Sequence, residues 1–135
     1  MTKSDLEQLT LLNSEISRDL ERLQELYALL TGCTSSISGL PHIGLLHGSD
    51  RTDKFISMID VLEQQIKERV LDSAALYIQI WSYINTIHDP LVRQIIALRY
   101  IDGLPWQQVA NNIGGGISVS GVRMILDRYL AANTG

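Results

Sequence analysis

At 135 residues and 15.1 kDa the chain has room for one ordinary domain or for two very small helical units. A hydrophobic fraction of 45% against 19% charged residues marks a folding sequence, and a single cysteine excludes both a disulfide framework within the chain and a multi-thiolate metal site. The net charge of −4 is unevenly spread: residues 1–88 carry seven Lys/Arg against twelve Asp/Glu, a balance of −5, whereas residues 89–135 carry four Arg against three Asp, a balance of +1. The first two-thirds is therefore acidic, and the near-neutral last third permits contact with nucleic acid without arguing for it.

The first element is a helix over about residues 5–30. Ser4 or Asp5 is placed to cap it, with Glu7 in the first turn. Leu9, Leu12, Ile16, Leu20, Leu23, Tyr27 and Leu30 step by three and four, close to a coiled-coil seam. The connection 31–50 holds four glycines and one proline and has no period. It is long for a link between helices, and Ile37, Leu40, Ile43, Leu45 and Leu46 are its candidates for packing. A second helix follows over about residues 51–87, capped by Ser49 or Asp50. Its seam reads Phe55, Ile59, Leu62, Ile66, Val70, Ala74, Tyr77, Trp81 and Ile84.

At 1.5 Å per residue the two helices are about 39 and about 55 Å long. The expectation is an antiparallel helical hairpin over residues 1–88 whose longer arm must find further cover. From Ala74 to Ile84 that arm is apolar nearly all round, the pattern of a segment buried on several sides. The seams serve either as an intramolecular core or for self-association, which would make the chain a homo-oligomer.

The tail, residues 89–135, predicts three short helices. Asp89-Pro90 opens the first, an N-cap followed by a proline that needs no donor, and Asp102-Gly103 closes it. Leu91, Ile95 and Leu98 share its inner face, with Ile96 beside them. The next starts at Leu104-Pro105 and places Trp106, Val109, Ala110 and Ile113 on one face, with Gln107, Gln108, Asn111 and Asn112 outside. Gly114-Gly115-Gly116 stops it. Ser118 or Ser120 caps the last helix, whose inner face is Val122, Ile125, Leu126 and Tyr129 with Leu130 alongside. Three short helices, the last two joined by a glycine turn, follow the plan of a helix-turn-helix. Ala110 is small where two helices cross, and Val122 returns to the core. The expected fold is thus all-α: a long antiparallel hairpin, then a three-helix unit.

The run Leu98-Arg99-Tyr100-Ile101-Asp102-Gly103-Leu104-Pro105-Trp106-Gln107-Gln108-Val109-Ala110 resembles the start of the helix-turn-helix in region 4 of bacterial sigma factors. It is closer still to small phage and prophage proteins in which a helical hairpin with a Ser/Gly/Pro connection precedes such a domain and the pattern RYI-x-G-x-x-W-x-x-[IV]-A recurs. Thr34-Ser35-Ser36-Ile37-Ser38-Gly39-Leu40-Pro41 and Ser49-Asp50 are similar to their connection. The resemblance covers most of the chain and is most specific over residues 93–113. It implies a regulator of phage transcription, related to phage late-transcription regulators, that binds double-stranded DNA or associates with RNA polymerase. The chain departs from the pattern in three places. Ala110 to Val122 spans two residues more than the sigma-like spacing, the last helix has only Arg123 and Arg128 as cations, and Met124 stands where such sequences commonly have Arg.

On a helix-turn-helix the exposed N-terminal half of the last helix faces the major groove. Ser118 and Ser120 would hold a phosphate at the helix start, Arg123 would meet guanine or phosphate, Met124 lies on the same face, and Arg128 follows a turn later. Gln107 and Gln108 would touch the backbone from the preceding helix. Each residue has a plainer reading beside this one: Ser120 a cap, Arg123 paired with Asp127 at i, i+4, Arg128 a complement to the helix dipole, and Arg99 a tether to an acidic group. So few cations bind DNA weakly per monomer, so a dimer or RNA polymerase as co-binder is required. Two alternatives remain: an interaction module in which the tail docks RNA polymerase or a phage protein while the hairpin oligomerises, and a packaging protein resembling a terminase small subunit.

No catalytic constellation is present in the pattern, and neither an enzyme activity nor a cofactor is expected. Cys33, His42 and His47 match no zinc spacing, the glycine triplet lacks the Lys-Ser/Thr of a phosphate loop, and His88-Asp89 reads as a cap. MTKSDLEQ carries no secretory h-region, and no stretch has the length of a membrane span, so a cytoplasmic chain is expected.

Overall fold

The computed structural model describes residues 1–35 and 48–133, all of whose regular elements are helical. Helix α1 is Lys3–Ser35, α2 is Gly48–Thr86, α3 is Pro90–Ile96 continuing into a wider π-helical turn over Ala97–Ile101, α4 is Trp106–Ile113 and α5 is Val119–Asn133. The fold is all-α. Most of the expected connection, residues 36–47, lies outside the described residues, and with it the packing proposed for Ile37, Leu40, Ile43, Leu45 and Leu46 and the question of His42 and His47.

Two compact units result: Met1–Asn13 with Asp72–Gly135, and Ser14–Leu71. This division differs from the boundary at residue 88 read on the sequence. The reason is that the first turns of α1 and the last turns of α2 share one core with the tail. Leu6, Leu9, Ile80, Ile84 and Ile87 are buried together with Val92, Ile95, Ile96, Tyr100, Val109, Ala110, Val122, Leu126 and Leu130. Asn13 accepts a hydrogen bond from the Ser73 hydroxyl in the same unit (2.6 Å).

In the second unit the two helices run antiparallel: the Arg69 guanidinium meets Glu15 (2.6 Å) and Asp19, and the Tyr27 hydroxyl donates to Glu63. Asp19 is 1% exposed and also receives Arg22 at 3.3 Å. A buried carboxylate is tolerated only where cations and donors meet it, and two guanidiniums do so here. Among the described residues of this unit, Ile59 and Ile66 are the buried apolar ones.

The seams deviate from the expected ones. On α1, Leu20 and Tyr27 are exposed, whereas Asp19 is buried and Leu26 partly so. On α2, Val70, Ala74, Tyr77 and Trp81 are exposed; the inward positions after Ile66 are Arg69, Ser73, Leu76 and Ile80. From Ile66 to Ile80 the true stripe alternates steps of three and four, as a heptad seam requires. Leu62, Ile66, Val70 and Ala74 make three steps of four in a row, which carries an apolar stripe onto a neighbouring face.

Helix ends follow local chemistry. Thr2, not Ser4 or Asp5, caps α1: the Asp5 amide donates to the Thr2 hydroxyl oxygen (3.2 Å) and the Thr2 amide to the Asp5 carboxylate (2.8 Å), a reciprocal capping box. Those bonds to the ionised form hold the Asp5 carboxyl below its usual range. The helix passes Leu30 and continues to Ser35, with the Thr31 hydroxyl donating back to the Tyr27 carbonyl (2.9 Å). Asp89 caps α3 through the Leu91 amide (2.9 Å), with Pro90 in the first turn. Arg93 donates to the Ile87 carbonyl (2.9 Å), satisfying a group at the end of α2.

The π-helical turn is a feature the periodicity did not foretell. The Asp102 amide reaches the Ala97 carbonyl (2.9 Å) and the Leu104 amide the Leu98 carbonyl (3.0 Å), with Gly103 at φ +71° between them. The wider turn shifts the phase of the helix. Tyr100, five residues after Ile95, enters the core, while Leu98 is only partly buried.

Between α4 and α5 the chain turns through Gly114, Gly115 and Gly116 at φ +77°, +67° and +74°. Gly114 has ψ −159°, a region that essentially only glycine occupies. A Cβ there would meet nothing within 4 Å, so backbone strain alone opposes a side chain. Gly114→Ala is therefore expected to lower stability by about 1–3 kcal/mol. Gly32→Ala, on the helical backbone of α1 with equal space, should raise it by up to about 1 kcal/mol. Urea midpoints of the two variants against the parent check both signs.

Candidate nucleic-acid interface

The candidate surface is built by α4, the glycine turn and α5. Helix α5 turns Val122, Leu126 and Leu130 into the core, so the residues between them must face away from it. The Ser118 hydroxyl accepts from the Gly121 amide (3.0 Å), which makes Ser118 the cap; Ser120 lies inside the first turn, with its side chain exposed. Gly121 is small because Ile117 folds back over it: a Cβ would come within 3.2 Å of that side chain.

Ser118, Ser120, Arg123, Met124 and Arg128 on the α5 side and Gln107 and Gln108 on α4 are all exposed. The structure brings Arg123 to α4, its guanidinium 5.8 Å from the centre of the Trp106 ring, and Arg99 lies 4.9 Å from the same ring. Trp106 also meets Tyr100 edge-on at 6.5 Å. Gln107 donates to Asn111 (3.3 Å), and the Gln108 carbonyl accepts from Asn112 (2.8 Å). Both glutamines thus sit on the outer face of α4. Among the described residues Arg128 makes no hydrogen bond or ion pair.

Two plainer readings are corrected. Arg123 does not pair with Asp127. Asp127 pairs with Lys3 of α1 at 3.3 Å, both side chains being substantially exposed, while Arg123 takes the face of Trp106. Arg99 is a tether, but to a carbonyl: its guanidinium donates to Leu104 (3.0 Å). With Arg93 held on Ile87, the cations outside such contacts on this side are Arg123 and Arg128, and Asp127 lies between them along the helix. The surface is mixed in charge.

The sequence did not single out Lys3, which needs the fold to reach Asp127, nor the pocket beside the π-helical turn. That pocket, about 180 Å³, is lined by Glu7, Thr10, Leu11, Arg99 and Tyr100. Among the described residues no cluster of three or more His, Cys, Asp or Glu is arranged to hold a metal, and no helix is long and apolar enough to cross a membrane. Compared with family models, with curated proteins and with solved structures, the chain matches none.

Tyr100 is 2% exposed and its hydroxyl has no hydrogen-bond partner among the described residues. Burial, then the nearby Glu7 carboxylate, pushes its pKa up to about 12 from 10.0. A raised folded-state pKa gives a contribution that is whole below pH 10 and is lost as pH climbs from 10 towards 12, because only the unfolded chain ionises there. Tyr100→Phe is expected to be neutral or stabilising at pH 8, since it removes an unpaired buried hydroxyl. It should also retain more of its stability at pH 11.5 than the parent does. Paired urea titrations at the two pH values measure this; equal losses in both proteins would contradict it.

Proposed function

We propose that the tail acts as a helix-turn-helix module contacting double-stranded DNA, in a transcription regulator of the phage type that resembles sigma region 4. The observation that carries the reading is α5 itself. One face, Val122, Leu126 and Leu130, is buried, and the opposite face offers Ser120, Arg123 and Met124 beyond a side-chain-free turn. The Lys3–Asp127 pair adds support, because it offsets a carboxylate that would otherwise repel phosphate next to Arg123. In this role Arg123, steadied on Trp106, meets guanine or phosphate, Ser118 and Ser120 meet phosphate, and Gln107, Gln108 and Arg128 add backbone contacts.

A second reading is favoured by the mixed charge of the surface and by Met124, half-exposed between two arginines. In it the same face docks a protein, RNA polymerase or a phage protein, as a soft adaptable contact. Packaging of the terminase small-subunit kind remains the assembly-based alternative; a ring of many subunits in solution would be its mark.

Salt separates the readings. On the DNA reading, duplex binding falls steeply between 50 and 200 mM salt. Arg123→Ala should weaken it by about 5- to 150-fold, in keeping with about 1–3 kcal/mol per base or phosphate anchor, and Lys3→Ala should weaken it less. Fluorescence anisotropy with labelled duplex at low salt is the measurement. Absence of binding there, to random and to phage promoter duplexes alike, rejects the DNA reading and leaves the protein-docking one.

A further inference from the structure

Helix α2 is closed on one side of the first unit by Ile80, Ile84 and Ile87 and left open on another. On the open side stand Ala74, Tyr77, Ile78 and Trp81, at i, i+3, i+4 and i+7, which is the spacing of a helix-packing stripe. Ile78 is 64% exposed, Trp81 50% and Tyr77 44%. The geometry points to this stripe as a surface on which a second copy of the chain packs, α2 against α2, antiparallel about a two-fold axis. This does not rest on the DNA reading and would stand if α5 bound no duplex.

Three observations select the occupant. No residue from 73 to 87 is charged. A nucleic acid or a strongly charged protein would find no counter-charge there, and a helix lying on lipid needs Lys or Arg along its polar face. Depletion of charge with aromatic enrichment is instead the composition of an interface centre.

The stripe is also complementary to itself. Reversed about the midpoint between Tyr77 and Ile78, it sets Trp81 of one copy opposite Ala74 of the other, largest against smallest, and Tyr77 opposite Ile78. An isologous contact requires this of a single patch. Gln79, Ser82 and Asn85, all exposed, supply a polar rim.

The area decides the strength. With aromatic side chains of about 150–250 Å², the exposed parts of the four residues come to roughly 400 Å² per copy, about half of the roughly 800 Å² per partner in a standard stable interface. The consequence is a dimer that forms at micromolar concentration and dissociates on dilution, with Trp81 as its anchor.

Sedimentation velocity on the full chain, over about 1–500 µM, tests this. The parent should pass from monomer to dimer across that range. Trp81→Glu should raise the dissociation constant by at least about 30-fold without changing the helical circular dichroism or the thermal midpoint at about 1 µM, where the parent is monomeric. Trp81→Ala and Ala74→Trp should each weaken the dimer, and the two together should restore it, because the exchange returns one large and one small residue to each contact. A parent that stays monomeric at the highest concentration overturns the inference. So does a dimer indifferent to Trp81→Glu, a folded double variant that fails to recover, or an assembly larger than two.

Discussion

The structure depends on one constraint: α2 carries more apolar surface than one neighbouring helix can cover. Its last turns bury Ile80, Ile84 and Ile87, and those side chains are met by Leu6 and Leu9 of α1 together with the inner faces of α3, α4 and α5. The tail is therefore not an appendage. Its three helices pack on one another and share one buried cluster with the last turns of α2 and the first turns of α1. Burial of fourteen residues in one cluster accounts for why short helices of seven, eight and fifteen residues hold together, since helices of that length are marginal alone in water.

The second unit solves a different problem with polar atoms in its seam. Asp19, nearly inaccessible, lies between Arg69 and Arg22, and Arg69 reaches Glu15 as well. Such a group adds little net stability compared with a hydrophobic replacement, and its best-attested use is fixing register. A slip of one helix past the other would leave the Asp19 carboxylate without cations, an arrangement far less favourable than the one observed.

This polar layer also marks the limit of what could be read from the amino-acid order. Features set by a few neighbouring residues were legible: the Asp89-Pro90 start, the stop at Gly103, the turn at residues 114–116, and the inner face of α5. So was the all-α class. Features set by distant partners were not. Arg69 and Ser73 occupy inward positions that an apolar search skips, and Val70, Ala74, Tyr77 and Trp81 offered a competing stripe of nearly equal quality. At the candidate interface, exposure of Arg123 followed from spacing, but its place over Trp106 and the capture of Asp127 by Lys3 depend on how α1, α4 and α5 meet. The π-helical turn depends on bonds around Gly103 and on the core position of Tyr100, neither of which leaves a period in the sequence.

The contact between Lys3 and Asp127 joins residues 124 positions apart, and Leu6 and Leu9 share a core with Leu130. Closing so long a loop costs chain entropy that only the contacts made at its two ends repay. At about 5–20 residues per second on the ribosome, the opening turns of α1 wait roughly 6–25 s for the helix that covers them. During that interval Leu6 and Leu9 lack the cover of Leu126 and Leu130 and are open to holdase chaperones.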